Sequence, residues 1–146
     1  MIATFNQDGI LPPGIHKAKW LEFCERFGSN SYRKRLIRGM KDAFKNLKAA
    51  GCKTVYVDGS FVTSKYKPKD YDACWKEDGV NPKLLDPILL DFSNGRTAQK
   101  IKYKGELFPA SMPNGNAGSL ILDFFQIDKE TGGEKGIIEI DLEDLS

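Results

Sequence analysis

The chain has 146 residues, 40% of them hydrophobic and 29% charged, with a formal net charge of +2. That length and apolar share suit one compact domain with a buried core, and they exclude a disordered tail. No run approaches the ~20 consecutive apolar residues of a membrane span, and the first residues lack the charged and apolar regions of a secretory signal, so a cytoplasmic protein without membrane contact is expected.

Cys24, Cys52 and Cys74 neither pair off evenly nor sit at zinc-ligand spacing, and they read as reduced, buried thiols. Charge is uneven along the chain. Lys17 to Lys48 holds ten basic residues against three acidic ones, whereas Ile121 to Ser146 holds eight acidic against two basic.

Residues 1–16 are expected as an extended arm over the domain, because Gly9, Pro12, Pro13 and Gly14 interrupt regular structure. From Lys17 to Phe27, Trp20, Leu21, Cys24 and Phe27 recur at helical spacing, and Gly28 marks a stop. Ser29, Asn30 or Ser31 caps a second helix, whose stripe of Leu36, Met40, Phe44 and Leu47 runs to Gly51. Its other face, residues 33–48, carries Arg33, Lys34, Arg35, Arg38, Lys41, Lys45 and Lys48. Such a face is either plainly solvated or a contact for RNA or another polyanion.

Thr54 to Val57 is short, β-branched and bounded by Gly51 and Gly59, which predicts a buried strand, and Asp70 to Trp75 predicts a second. Helical pieces are expected around Leu84–Leu90 and Arg96–Tyr103, and Pro109 to Gly118 is loop by composition. Leu120–Asp128 and Gly136–Leu142 read as strands of a hairpin joined by Lys129–Lys135. The expected fold is therefore α+β, a mixed α/β domain with a small central sheet and helices packed on it, the N-terminal helices coming first.

The chemistry gathers between the two central strands. Side chains two apart on a strand share a face, so Asp70 and Asp72 project together, and their repulsion is relieved by a divalent cation such as Mg2+. Gly59 permits close backbone approach and Ser60 offers a hydroxyl and an N–H to phosphate oxygens, with Lys65, Lys67 and Lys69 adding positive charge. His16, the single histidine, excludes a histidine-rich metal site.

Gly59-Ser60 followed ten residues later by Asp70-Tyr71-Asp72 resembles the signature of the polymerase-beta-like nucleotidyltransferase superfamily. Leu11-Pro12-Pro13-Gly14-Ile15-His16, Gly59 to Thr63, Leu85-Asp86-Pro87, Gly105 to Ala110 and Phe124-Phe125-Gln126 look like a short, uncharacterised bacterial family of that type. The resemblance implies Mg2+-dependent transfer of a nucleotide from an NTP to a hydroxyl on RNA (tRNA), protein or a small molecule. Asp70 and Asp72 would hold metal, and Gly59, Ser60, Thr63 and Lys65 would contact the nucleotide. It also implies a toxin–antitoxin or phage-defence setting with a cognate antitoxin protein. Phe61-Val62-Thr63 departs from the superfamily, which often places Arg or a small residue soon after the serine.

A third carboxylate on a later strand completes the superfamily's catalytic and metal set. Asp123, within the apolar run Leu120 to Phe125, is the expected choice, since an unpaired charge there is costly. Asp128, Glu139 and Asp141 are the alternatives. Two competing functions remain: a regulatory protein that keeps the fold without transfer, and an RNA-binding module that uses only the basic helix.

Overall fold

A computed structural model of the protein describes residues 2–113, 120–128 and 131–145. Strand β1 (Gly14–Ala18) is followed by helices α1 (Trp20–Phe27) and α2 (Ser31–Ala49), strands β2 (Thr54–Asp58) and β3 (Tyr71–Trp75), helix α3 (Ser93–Tyr103), strand β4 (Gly105–Pro109), the one-turn helix α4 (Ile121–Phe124) and strand β5 (Gly136–Asp141). The five strands form one mixed sheet in the order β1-β5-β2-β3-β4. The outer pairs, β1 with β5 and β3 with β4, are parallel, and β2 is antiparallel to both its neighbours. The fold is α+β, and no helix among the described residues is long and apolar enough to cross a membrane.

The alternation of side chains along each strand divides the interior in two. Val55, Val57, Ala73, Ile138 and Ile140 join Phe23, Met40 and Phe44 of α1 and α2 in the main core. Tyr56, Cys74 and Ile137 point the other way and pack with Ala110, Ile121 and Phe125, so α4 covers part of the second face. All three cysteines are free, two of them buried and Cys24 partly so.

The helices begin and end where local chemistry directs. The Asn30 side-chain oxygen Oδ1 accepts the Arg33 N–H (2.9 Å), and of the three capping candidates it is Asn30 that starts α2. Gly39 lies where α2 crosses the end of α3, and a Cβ there would stand 2.3 Å from the Tyr103 carbonyl oxygen.

Several expectations need correction. The run from Leu120 to Asp128 is not a strand but a helical turn, because Ile121 and Phe125 bury at i, i+4 spacing while Asp123 turns to solvent. It does not pair with β5 as a strand, because β5 pairs with β1 and β2; among the described residues the expected hairpin is reduced to a short antiparallel contact, the Ile127–Glu134 bridge with the Lys135 N–H donating to the Gln126 carbonyl (2.9 Å) and the Asp128 N–H to the Gly133 carbonyl (2.7 Å), and Lys129 and Glu130 lie outside the described residues. The last residues of the expected arm form β1, while Ile2 and Leu11 do lie over the main core. Leu84–Leu90 divides into two 3-10 turns, Pro82–Leu84 and Pro87–Leu90, each opened by a proline. Of the expected loop from Pro109 to Gly118, residues 114–118 lie outside the described residues.

Arg33 was expected on the solvated face of α2, and the fold buries it to 3% exposure. Its guanidinium donates to the carbonyl oxygens of Phe27 (3.2 Å), Phe61 (2.6 Å), Thr63 (2.7 Å) and Lys65 (2.6 and 3.1 Å), and it lies 5.0 Å from the Phe61 ring centroid. The loop after β2 is thereby fastened to α2. Arg33→Met is expected to cost about 3 kcal/mol in urea denaturation, because four desolvated carbonyls lose a charged donor. Arg33→Lys should recover only part, since an ammonium lacks the planar fork that spans them; full recovery by lysine would refute this account.

Candidate functional site

The cleft lies at one end of the sheet, on the face that carries Tyr56 and Cys74. Asp58 is in register with Asp72, and Asp72 with Glu106, so three adjacent strands present one row of carboxylates on that face. All three line a cleft of about 850 Å³ together with Gly59, Ser60, Thr63, Lys65, Arg96 and Lys135. Asp8, Gly9 and Ile10 of the N-terminal arm form part of its wall, anchored by the Ser64 N–H donating to the Gly9 carbonyl (2.9 Å). Phe108, Phe124 and Phe125 form an aromatic side.

Charge within the row is compensated at its ends. Lys135 stands 3.0 Å from Asp58, and Arg96 donates twice to Glu106 Oε1 (2.9 and 2.6 Å), with Lys100 at 3.4 Å. Arg96 reaches Glu106 from a strained stretch: Asn94, Gly95 and Arg96 have φ of 51°, 65° and 62°. Asp72, in the middle, shares a hydrogen bond with Glu106. Burial first, then that hydrogen bond and the neighbouring negative charges, hold the Asp72 carboxyl well above the usual carboxylate range, while Arg96 and Asp72 draw Glu106 below it. Burial and the neighbouring acids therefore favour the protonated form of Asp72.

Gly59 makes this arrangement possible. Its φ is 82°, and a Cβ would fall 2.4 Å from Asp72 Oδ2, so only glycine lets the turn pass over the carboxylate. Ser60 opens a 3-10 turn, Ser60–Val62, closed by the Thr63 hydroxyl donating to the Ser60 carbonyl (2.6 Å).

The expected site residues are therefore partly assembled. Gly59, Ser60, Thr63, Lys65 and Asp72 meet in the cleft, whereas Asp70 does not line it; burial and Glu106 raise the Asp70 pKa against the pull of Lys100, Lys65 and Lys69. Asp123 does not join them; it is exposed on α4, whose Ile121 and Phe124 line the cleft instead. Asp128 lies on the far wall, where the Thr131 hydroxyl donates to it (3.1 Å). Glu139 faces Tyr56 and Lys17, and Asp141 accepts the Glu143 N–H beyond the sheet end. The residues missed by sequence reasoning are Glu106, Asp58 and Arg96. Glu106 carried a legible signal: Glu106 and Phe108 alternate with Gly105 and Leu107 in a five-residue run that Pro109 ends.

Among the described residues no group of three or more His, Cys, Asp and Glu side chains forms a metal cage. Asp72 and Glu106, in register on neighbouring strands, offer carboxylate oxygens of the kind that suit one hard divalent cation. Mg2+ commonly binds through one or two carboxylates with phosphate and water completing its shell.

Residues 3–141 match a family of unknown function (DUF6932). No curated protein and no solved structure matches the chain.

Folded Asp72 binds its proton more tightly than the unfolded chain does, so this group's stabilising contribution is complete at acid pH and is lost as pH rises toward about 8. The melting temperature of metal-free protein is expected to fall between about pH 5 and about pH 9 more steeply in wild type than in Asp72→Asn. Parallel profiles would remove the protonated Asp72 from the account. Gly59→Ala should destabilise by about 2 kcal/mol in chemical denaturation, since it combines an unfavourable φ with a clash against Asp72.

Proposed function

As a member of that family of unknown function, the chain carries a cleft from which we propose Mg2+-dependent nucleotidyl transfer from an NTP to an acceptor hydroxyl. The observation that supports the reading best is the pairing of Asp72 with Glu106 beside the Gly59-Ser60 turn. In this reading Glu106, on the strand parallel to β3, takes the part that sequence reasoning gave to Asp123.

Asp72 and Glu106 would hold the cation, with Asp70 and Asp58 adding negative potential around it. When bound, Mg2+ neutralises phosphate charge and acts as a Lewis acid. The chain's own groups do the rest. The Ser60 hydroxyl, Thr63 and Lys65 engage the phosphates from one side, and Lys135 from the other. Phe108, Phe124 and Phe125 give a nucleobase an apolar surface that water does not compete for. Closing off water around the row strengthens each of these charges. The reaction joins the acceptor oxygen to the α-phosphorus and releases pyrophosphate. The acceptor belongs to RNA, protein or a small molecule, and a cytoplasmic toxin–antitoxin or phage-defence role, with a cognate protein partner, follows from the same reading.

A second reading, a nucleotide-binding regulator without transfer, draws on the cations already seated on the row: Arg96 on Glu106 and Lys135 on Asp58. Incubation of the protein with each radiolabelled NTP and Mg2+ in cell lysate separates the two. Label moving to RNA or protein with wild type, and falling at least about a hundredfold in Asp72→Asn and Glu106→Gln, is the expected result. Nucleotide binding without label from any NTP supports the regulator.

A further inference from the structure

Beside the cleft, the loop that supplies Lys65 continues into an exposed pair of aromatic rings. Tyr32, on the first turn of α2, is 43% exposed and Tyr66 is 71% exposed, with ring centroids 6.2 Å apart and planes inclined at 69°. Lys67 Nζ lies 4.1 Å from the Tyr32 ring centroid. Neither ring is loosely hung. The Asn30 side chain donates to the Tyr66 carbonyl (2.7 Å), and Arg33 holds the Lys65 carbonyl one residue earlier. Two large rings are thus kept in water beside hydrogen bonds from Asn30 and the buried Arg33, where burial would ordinarily draw them inward.

The surroundings are cationic. Tyr32, Arg35 and Arg38 follow one another at three-residue steps along a flank of α2, with exposed Lys34 beside them. Lys65, Lys67 and Lys69 line the loop, and neither Ser29–Lys41 nor Gly59–Lys69 contains an acidic residue. Lys65 itself lines the cleft, and Lys65, Lys69 and Lys100 lie within electrostatic reach of Asp70, so the cationic loop adjoins the acidic row. Fixed aromatic faces beside a cationic track are what unpaired bases and their phosphates bind: bases stack, and the backbone releases counterions. A duplex has its bases already stacked and offers only phosphates.

We propose that Tyr32 and Tyr66, with Lys67, Lys34 and Arg35, form a binding site for a single-stranded polynucleotide that leads into the cleft. The site deepens the transfer reading by naming a polynucleotide acceptor, and its test reads binding alone, so the two stand or fall separately.

The experiment is fluorescence anisotropy of the full chain with a labelled twelve-nucleotide single strand, in RNA and DNA forms, and with the corresponding blunt duplex. Tyr32→Ala/Tyr66→Ala should weaken single-strand binding about tenfold or more, and Tyr32→Phe/Tyr66→Phe should retain it. Lys34→Gln/Lys67→Gln should weaken binding and flatten its salt dependence. Preference for RNA over DNA, or equal binding of both, upholds the site and assigns its source. Duplex binding as tight as single-strand binding, or alanine variants that bind like wild type while circular dichroism shows them folded, would overturn it.

Discussion

The guanidinium of Arg33 occupies a place where a protein seldom leaves a charge: inside, with carbonyl oxygens for company instead of a carboxylate. It reaches oxygens on α1's last residue and on three residues of the loop after β2. Desolvating a cation is costly, and the cost is met only if the loop keeps the path that brings those carbonyls inward. The turn over Asp72, the position of Lys65 at the cleft and the outward stance of Tyr66 all lie on that path. One interior residue therefore sets the geometry of a surface site.

The carboxylate row follows from strand register. Side chains in register on neighbouring strands share a face, so an acid at equivalent positions of β2, β3 and β4 places three like charges side by side. The fold answers with a lysine at one end and an arginine and a lysine at the other, while burial in between favours a protonated Asp72. The central position is the one where protein cations do not reach, and there an exchangeable ligand has most to gain. The strain in Asn94, Gly95 and Arg96 is spent at the outer end of the row, holding Arg96 against Glu106.

Local signals in the sequence carried the frame well. The stripe of α2, the existence of α1, a cap within Ser29–Ser31, the buried β2 and the Gly59-Ser60 turn were legible because each depends on residues close in sequence, although Leu21 of the α1 stripe is 72% exposed and Phe23 is buried in its stead. Asp72 was legible for the same reason. Glu106 stands in a run with a strand-like alternation, but its partnership with Asp72 spans 34 positions, and only the register of two parallel strands creates it. Asp123 misled because an apolar run with one acid suits a strand and a helical turn alike, and periodicity over so few residues does not separate them. Arg33 misled in the opposite sense, since its basic neighbours on α2 do face water and composition alone gives no reason to single it out.

Strand order carries a temporal consequence. β5, the last described strand, inserts between β1 and β2, so the earliest and latest parts of the sheet are neighbours and β1 has no other partner. During synthesis the ribosome must release β5 before β1 gains a ladder, and until then the N-terminal arm has no fixed rail along which to reach the cleft. The helical hairpin of α1 and α2, built from nearby contacts, forms early; the sheet closes late. A chain released only as far as β4 thus carries the loop after β2 and all three acids of the row, but not the strand that joins β1 to the sheet.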